Sequence, residues 1–123
     1  MKSRYLREIN CEYSYDEDER KEKFDKEKEE YGFASYDTWN IDISFVEFLY
    51  IIFNMYNDYN CIDTHFYKFS IDNENFDMQQ LIDYIIETSK EYLISRKKDF
   101  LNNINLPDKF YKVLKEIMPY MWW

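Results

Sequence analysis

The chain has 123 residues, 46% of them hydrophobic and 21% aromatic, enough apolar mass for one domain around one core. Acids outnumber bases 25 to 16, a net charge of -9, while Gly and His each occur once and Pro and Cys each occur twice. These counts exclude a Gly-rich phosphate loop, a dinucleotide fingerprint and a Cys/His zinc site, and the acidity argues against gripping nucleic acid by its phosphates.

The first predicted element is a short helix at Tyr5-Leu6-Arg7-Glu8-Ile9, with Tyr5, Leu6 and Ile9 inward. Residues 12–31 follow as a charged helical segment. Acids lead and lysines trail, which suits the helix dipole, and Glu19→Lys23 and Glu22→Lys26 are favourable i,i+4 pairs. Its only apolar anchors are Phe24 and Tyr31, so this segment is predicted to be largely solvated. Gly32, the single glycine, sits where a left-handed C-cap is needed.

A second helix is predicted over 37–58, with Ser35 or Asp37 as N-cap. Trp39, Ile43, Val46, Tyr50 and Phe53 recur at helical spacing, and Ile41, Phe45, Phe48, Leu49, Ile52 and Tyr56 fill further faces. A helix apolar nearly all round is usually central and buried. Residues 62–72 read as a short strand or an extended loop, with Tyr67, Phe69 and Ile71 on one face, and Asp72-Asn73-Glu74-Asn75 is turn chemistry. A third helix, 77–98, opens on Asp77 with Gln80 three residues on, a capping box. Met78, Leu81, Ile82, Ile85, Ile86, Tyr92 and Leu93 form its stripe, and Lys90, Arg96, Lys97 and Lys98 crowd its C-terminal end. A fourth helix, 107–118, has Pro107 near its first turn and is stopped by Pro119. The expected fold is mainly α: one domain, residues 1–123, built as a small helical bundle around a central buried helix (37–58).

Charge is unevenly placed. Residues 31–89 carry Lys68 against ten acids, whereas 1–30 hold eight bases and eleven acids, and 90–123 hold seven bases and four acids. The middle of the chain thus carries the whole imbalance, a field that attracts basic partners. The longest apolar stretch, 43–53, is interrupted by Glu47 and falls short of the ~20 residues of a membrane span. No apolar run follows the first residues, so a reducing cytoplasm with both thiols free is the expectation.

Cys61, Asp63 and His65 alternate, which on a strand would place three ligand types on one face. Three such residues in five are common by chance, and a hydrogen-bonded histidine in a loop is the plainer reading. A Cys/His nucleophile pair would need Cys61 or Cys11 brought to His65 by the fold. Ten acids offer many carboxylate pairs, and no spacing singles one out. The chain is accordingly read as non-enzymatic, with no catalytic residue, cofactor or metal assigned. Most aromatics lie on core stripes; Trp122 and Trp123, beyond Pro119, are the exceptions and the best candidates for an exposed patch. The predicted partner-binding residues are these two and the acids Asp58, Asp63, Asp72, Glu74 and Asp77.

The stretch Gly32-Phe33-Ala34-Ser35-Tyr36-Asp37-Thr38-Trp39-Asn40-Ile41-Asp42 resembles a segment of short proteins encoded by phages and prophages, matching at Gly32, Phe33, Asp37, Trp39, Asn40 and Asp42. It departs at Ala34, where that pattern has Ser, and in having no basic residue over 50–58. The resemblance covers about a quarter of the chain and implies a mobile-element origin, with no catalytic role to carry over. Lys outnumbering Arg 12 to 4, with a single Ala, is the bias of AT-rich coding sequence. The leading expectation is an inhibitor similar in style to anti-CRISPR proteins. It would act in the host cytoplasm on a basic host protein, a defence nuclease first, through an acidic surface that imitates nucleic acid. An immunity protein against a basic toxin and a phage assembly protein are the alternatives.

Overall fold

The computed structural model describes residues 1–101 and 104–122. Helix α1, Arg4–Glu8, is opened by Ser3, whose Oγ accepts the Tyr5 N–H at 3.2 Å, and it buries Leu6 completely. Asn10 then turns the chain at φ 56.

The charged segment is helical only from Lys21 to Tyr31 (α2) and not over the whole of 12–31. The reason is local. Ser14 Oγ takes the Asp16 N–H at 3.1 Å and Asp18 takes the Arg20 N–H at 2.8 Å, side-chain bonds that compete with helix. Glu19 therefore precedes the helix, and the pairs along it are Lys21–Asp25, Glu22–Lys26 and Lys23–Glu27. Gly32 ends α2 at φ 87 and returns its N–H to the Lys28 carbonyl at 2.8 Å, as the sequence requires.

The next helix starts four residues later than its periodicity suggests. Ser35–Thr38 form a 3-10 turn, and helix α3 runs Ile41–Tyr59. Asp37 caps the turn instead: its carboxylate accepts the Ala34 N–H at 3.0 Å, and its carbonyl accepts the Ser44 hydroxyl at 2.6 Å. Asn40, at φ -137 and ψ 84, separates the two pieces.

After a linker, strands β1 (Lys68–Ile71) and β2 (Glu74–Asp77) form an antiparallel hairpin with Phe69 opposite Phe76 and Ile71 opposite Glu74. The strand anticipated within 62–72 thus has its partner in Glu74–Asp77, two residues further on. The turn is only Asp72-Asn73, both at positive φ (51 and 67), the two-residue geometry that favours Asn and Asp and matches strand twist. Asp77 ends the hairpin and caps helix α4, Met78–Lys98; the box with Gln80 is formed in both directions, at 2.8 and 2.9 Å. Helix α5, Asp108–Ile117, follows Pro107, and Pro119 sits in a closing 3-10 turn, Met118–Tyr120.

The fold is mainly α, with one short hairpin. Helices α3 and α4 pack antiparallel: Asp42, near the start of α3, meets Tyr92 and Arg96 late in α4, while Asn57 near its end meets Gln79. The principal core joins Leu49 and Phe53 of α3, Phe69 and Ile71 of the hairpin, Met78, Leu81, Ile82 and Ile85 of α4, and Phe110, Val113, Leu114 and Ile117 of α5. A second cluster seats Leu6 and Cys11 against Ile43, Val46, Tyr50, Tyr92 and Leu93. A third, Tyr15, Phe24 and Ala34 with Tyr36, holds α2 to the 3-10 turn through edge-on ring contacts. Among the described residues, no helix is long and apolar enough to cross a membrane.

Helix α3 is central, but it is buried on one side only. Ile43, Val46, Glu47, Leu49, Tyr50 and Phe53 face inward, whereas Ile41, Phe45, Phe48, Ile52, Met55 and Tyr59 are exposed by 42% to 71%. Apolar content on every face reads as all-round burial; here the second face meets solvent.

Candidate protein-binding surfaces

The five acids predicted to bind a partner do not act as one free patch. Asp77 is a cap, and its second oxygen meets His65 Nδ1 at 3.0 Å. The Gln80 N–H and then His65 hold its carboxyl below the ordinary 3.8. Asp72, at the hairpin tip, pairs with Lys112 at 2.7 Å. Asp58 accepts the Tyr5 hydroxyl at 2.6 Å and lies 3.8 Å from Arg4. Asp63 is exposed and accepts the His65 N–H at 2.9 Å; Glu74 is exposed at the start of β2. Trp122 is 61% exposed, with its carbonyl accepting the Tyr56 hydroxyl, and Trp123 lies outside the described residues.

An acidic row that sequence reasoning passed over runs along the outer face of α4. Asp83, Glu87 and Glu91 are all exposed, at i, i+4 and i+8, which sets them about 6 Å apart along the axis. Among the described residues, none of the three has a cation within salt-bridge distance. The Tyr50 phenol is pushed up by burial first, then by Glu8 of α1 and Glu87 of this row. The signal was present as three acids at one-turn spacing, hidden by the flanking Lys90.

The groups considered for chemistry have other partners. His65, the one histidine, is tied to the Asp77 cap. Cys11 is buried in the second cluster, where burial pushes its thiol up, and Cys61 is exposed in the linker. Among the described residues, no three His, Cys, Asp or Glu side chains are grouped to hold a metal ion. The linker is strapped down instead: the Thr64 hydroxyl donates to Gln79 at 2.7 Å, and the Gln79 N–H donates to the Thr64 carbonyl at 3.0 Å.

One pair of carboxylates is brought together that no spacing indicated. Glu47 and Asp37 are both buried, at 3% and 8% exposure, beside a cavity of about 130 Å³ that Tyr13, Tyr36 and Phe100 also line. The Met1 ammonium reaches Glu47 at 3.1 Å and donates to the Tyr13 carbonyl at the same distance. Burial raises the Glu47 carboxyl above its ordinary 4.5; the ammonium opposes this and Asp37 adds to it. A raised carboxyl stabilises the fold fully below 4.5, and that contribution is lost as pH rises through the folded value. Glu47→Gln cannot titrate, so it should gain stability relative to the parent as pH is raised from about 4 to neutrality. Urea midpoints at a series of pH values check this; a constant difference would mean that burial does not govern Glu47.

Helical spacing places most aromatics on core stripes. The structure leaves Phe33, Trp39, Phe45, Phe48, Tyr59 and Phe66 between 42% and 71% exposed. Phe33, Ile41, Phe45 and Phe48 line an open, almost wholly apolar groove of about 400 Å³ at the start of α3. Comparison of the chain with family models, with curated proteins and with solved structures finds no match.

Proposed function

We propose that this chain is a non-catalytic binding protein of a phage or other mobile element. In this reading it docks on a basic surface of a host protein in the cytoplasm, in the style of an anti-CRISPR inhibitor. The observation that carries the reading is the outward row Asp83, Glu87 and Glu91, acids without a cation partner among the described residues. Unneutralised acids in line supply a long-range field for a basic partner and raise its rate of encounter. Asp63 and Glu74, also exposed, extend the negative field towards the hairpin. The tie of His65 to a helix cap and the burial of Cys11 away from it support a binding role over nucleophilic chemistry.

The test is affinity capture by the tagged protein from a low-GC bacterial lysate, beside the triple variant Asp83→Lys, Glu87→Lys, Glu91→Lys. A nuclease or other nucleic-acid-binding protein should be retained by the parent and lost by the variant, with retention falling as salt is raised. Capture of no such protein, or equal capture by both chains, overturns the reading. A toxin recovered as the sole basic partner would move it to the immunity class.

A further inference from the structure

The exposed face of α3 has an order of its own. From Ile41 to Met55 its exposed residues are Ile41, Asp42, Phe45, Phe48, Ile52 and Met55, so one polar side chain interrupts five large apolar ones. With Tyr59 the apolar positions step 4-3-4-3-4, the spacing of a coiled-coil seam sustained through the whole helix. Six side chains, each more than two-fifths exposed, present roughly 600 Å² of apolar surface, the upper end of what monomers tolerate.

The spacing is also a palindrome about position 50. If a second α3 is laid antiparallel, residue 41 meets 59, residue 45 meets 55, and residue 48 meets 52. The layers are then Ile41 on Tyr59, Phe45 on Met55 and Phe48 on Ile52, each an aromatic ring against an aliphatic chain. Parallel pairing would stack Phe on Phe and Ile on Ile. The placement agrees: the groove of Phe33, Ile41, Phe45 and Phe48 lies at one end of the stripe, and the exposed Met55 and Tyr59 lie at the other. A twofold axis brings each end to its complement, as an isologous interface requires.

Charge permits the contact despite the overall -9. On α3 the seam is flanked by Asp42 and Asp58, one at each end and on opposite sides, and Asp37, which also lines the groove, is buried. Antiparallel pairing faces Asp42 with Tyr56 and Asp58 with Ser44 of the other copy, never acid with acid. Both acids are already engaged within their own chain, Asp42 by Tyr92 at 2.5 Å and Arg96 at 3.2 Å, and Asp58 by Tyr5. We propose that the chain forms a twofold dimer in which the exposed stripe of α3 packs antiparallel on the same stripe of a second copy. Two such faces bury roughly 1,200 Å², the lower edge of a stable interface, so the dimer should dissociate on dilution. The acidic row of α4 lies on another helix and stays outward in both copies.

Sedimentation equilibrium of the full chain tests this, with circular dichroism to confirm that each variant keeps its helix content. The parent should approach twice the monomer mass as concentration rises. Phe48→Lys and Ile52→Glu alter exposed positions, and each alone should halve that mass. Mixing the two variants should restore the dimer, because residue 48 of one copy then meets residue 52 of the other as Lys on Glu, with an intact Phe–Ile layer beside it. A parent that is monomeric throughout overturns the proposal, and loss of captured host protein by Phe48→Lys in that case assigns the stripe to an unlike partner. A dimer that survives both substitutions places the interface elsewhere. Failure of the mixture to recover rules out the antiparallel register. None of these outcomes depends on Asp83, Glu87 or Glu91, so dimer and host-binding readings fail separately.

Discussion

Phe110→Ala is expected to cost about 3–5 kcal/mol, a large part of the roughly 5–15 kcal/mol that holds a domain folded. Phe110 is 0% exposed and belongs to the principal core, where α4, α5 and the hairpin converge. Ile82, Ile85, Val113 and Ile117 of the same core are also fully buried, so closing the space would require packed side chains to shift. The loss is therefore transfer free energy plus a cavity. Tyr111, the next residue, is 52% exposed, and Tyr111→Ala should change stability by no more than about 0.5 kcal/mol. Urea unfolding at one fixed protein concentration makes the comparison, since self-association would otherwise shift the midpoint. A Phe110→Ala midpoint within about 1 kcal/mol of the parent would show that α5 is not part of a tight core.

Asp77→Ala is expected to cost about 1–2 kcal/mol as a lost cap, and its effect should spread beyond α4. The same carboxylate holds the Gln80 N–H at 2.8 Å and His65 at 3.0 Å, at the junction where β2 ends and α4 begins. Losing it frees His65 and loosens the strap formed by Thr64 and Gln79. Amide exchange should rise at Gln79, Gln80 and residues 64–66 while α5 stays protected. Asp77→Asn should retain most of the stability, because Asn caps as well as Asp. Acid separates the two further. The Asp77 carboxyl is held below 3.8, so its contribution is present above that value and lost as pH falls through the lower folded one. The parent should lose this part on acidification and the Asn variant should not. Exchange confined to the first turn of α4 would mean that the linker is held independently of the cap.

These two residues differ in how openly the sequence declares them. Asp77 and Gln80 announce a cap because a capping box is a three-residue event, and Gly32 announces a helix end because only a left-handed position asks for a lone glycine there. The stripes of α4 and α5 are legible for a similar reason, since each is apolar on one face and polar on the other. The hairpin was half legible. Tyr67, Phe69 and Ile71 alternate, but the partner strand Glu74–Asp77 is polar at three of its four positions and carries no apolar pattern of its own. The start of α3 lies later than its periodicity suggests because Asp37 has two uses, capping a 3-10 turn or a helix, and its bonds to Ala34 and Ser44, three and seven residues away, select the first.

The binding surfaces were the least legible part. Acids are conspicuous in sequence, yet Asp58, Asp72 and Asp77 are drawn into contacts with Tyr5, Lys112 and His65 from 53, 40 and 12 residues away. Only the three-dimensional pairing leaves Asp83, Glu87 and Glu91 outward.

By itself the sequence determined the class of fold, the caps at Gly32 and Asp77, the inward stripes of α4 and α5 and the acidity of residues 31–89. Each of these follows from local periodicity, backbone preference or simple counting. The tertiary structure decided which of the two apolar faces of α3 would be buried. Periodicity says that a residue lies on a face and is silent on what opposes it. Val46, Leu49 and Phe53 meet α4, α5 and the hairpin, whereas no described residue covers Phe45, Phe48 and Ile52.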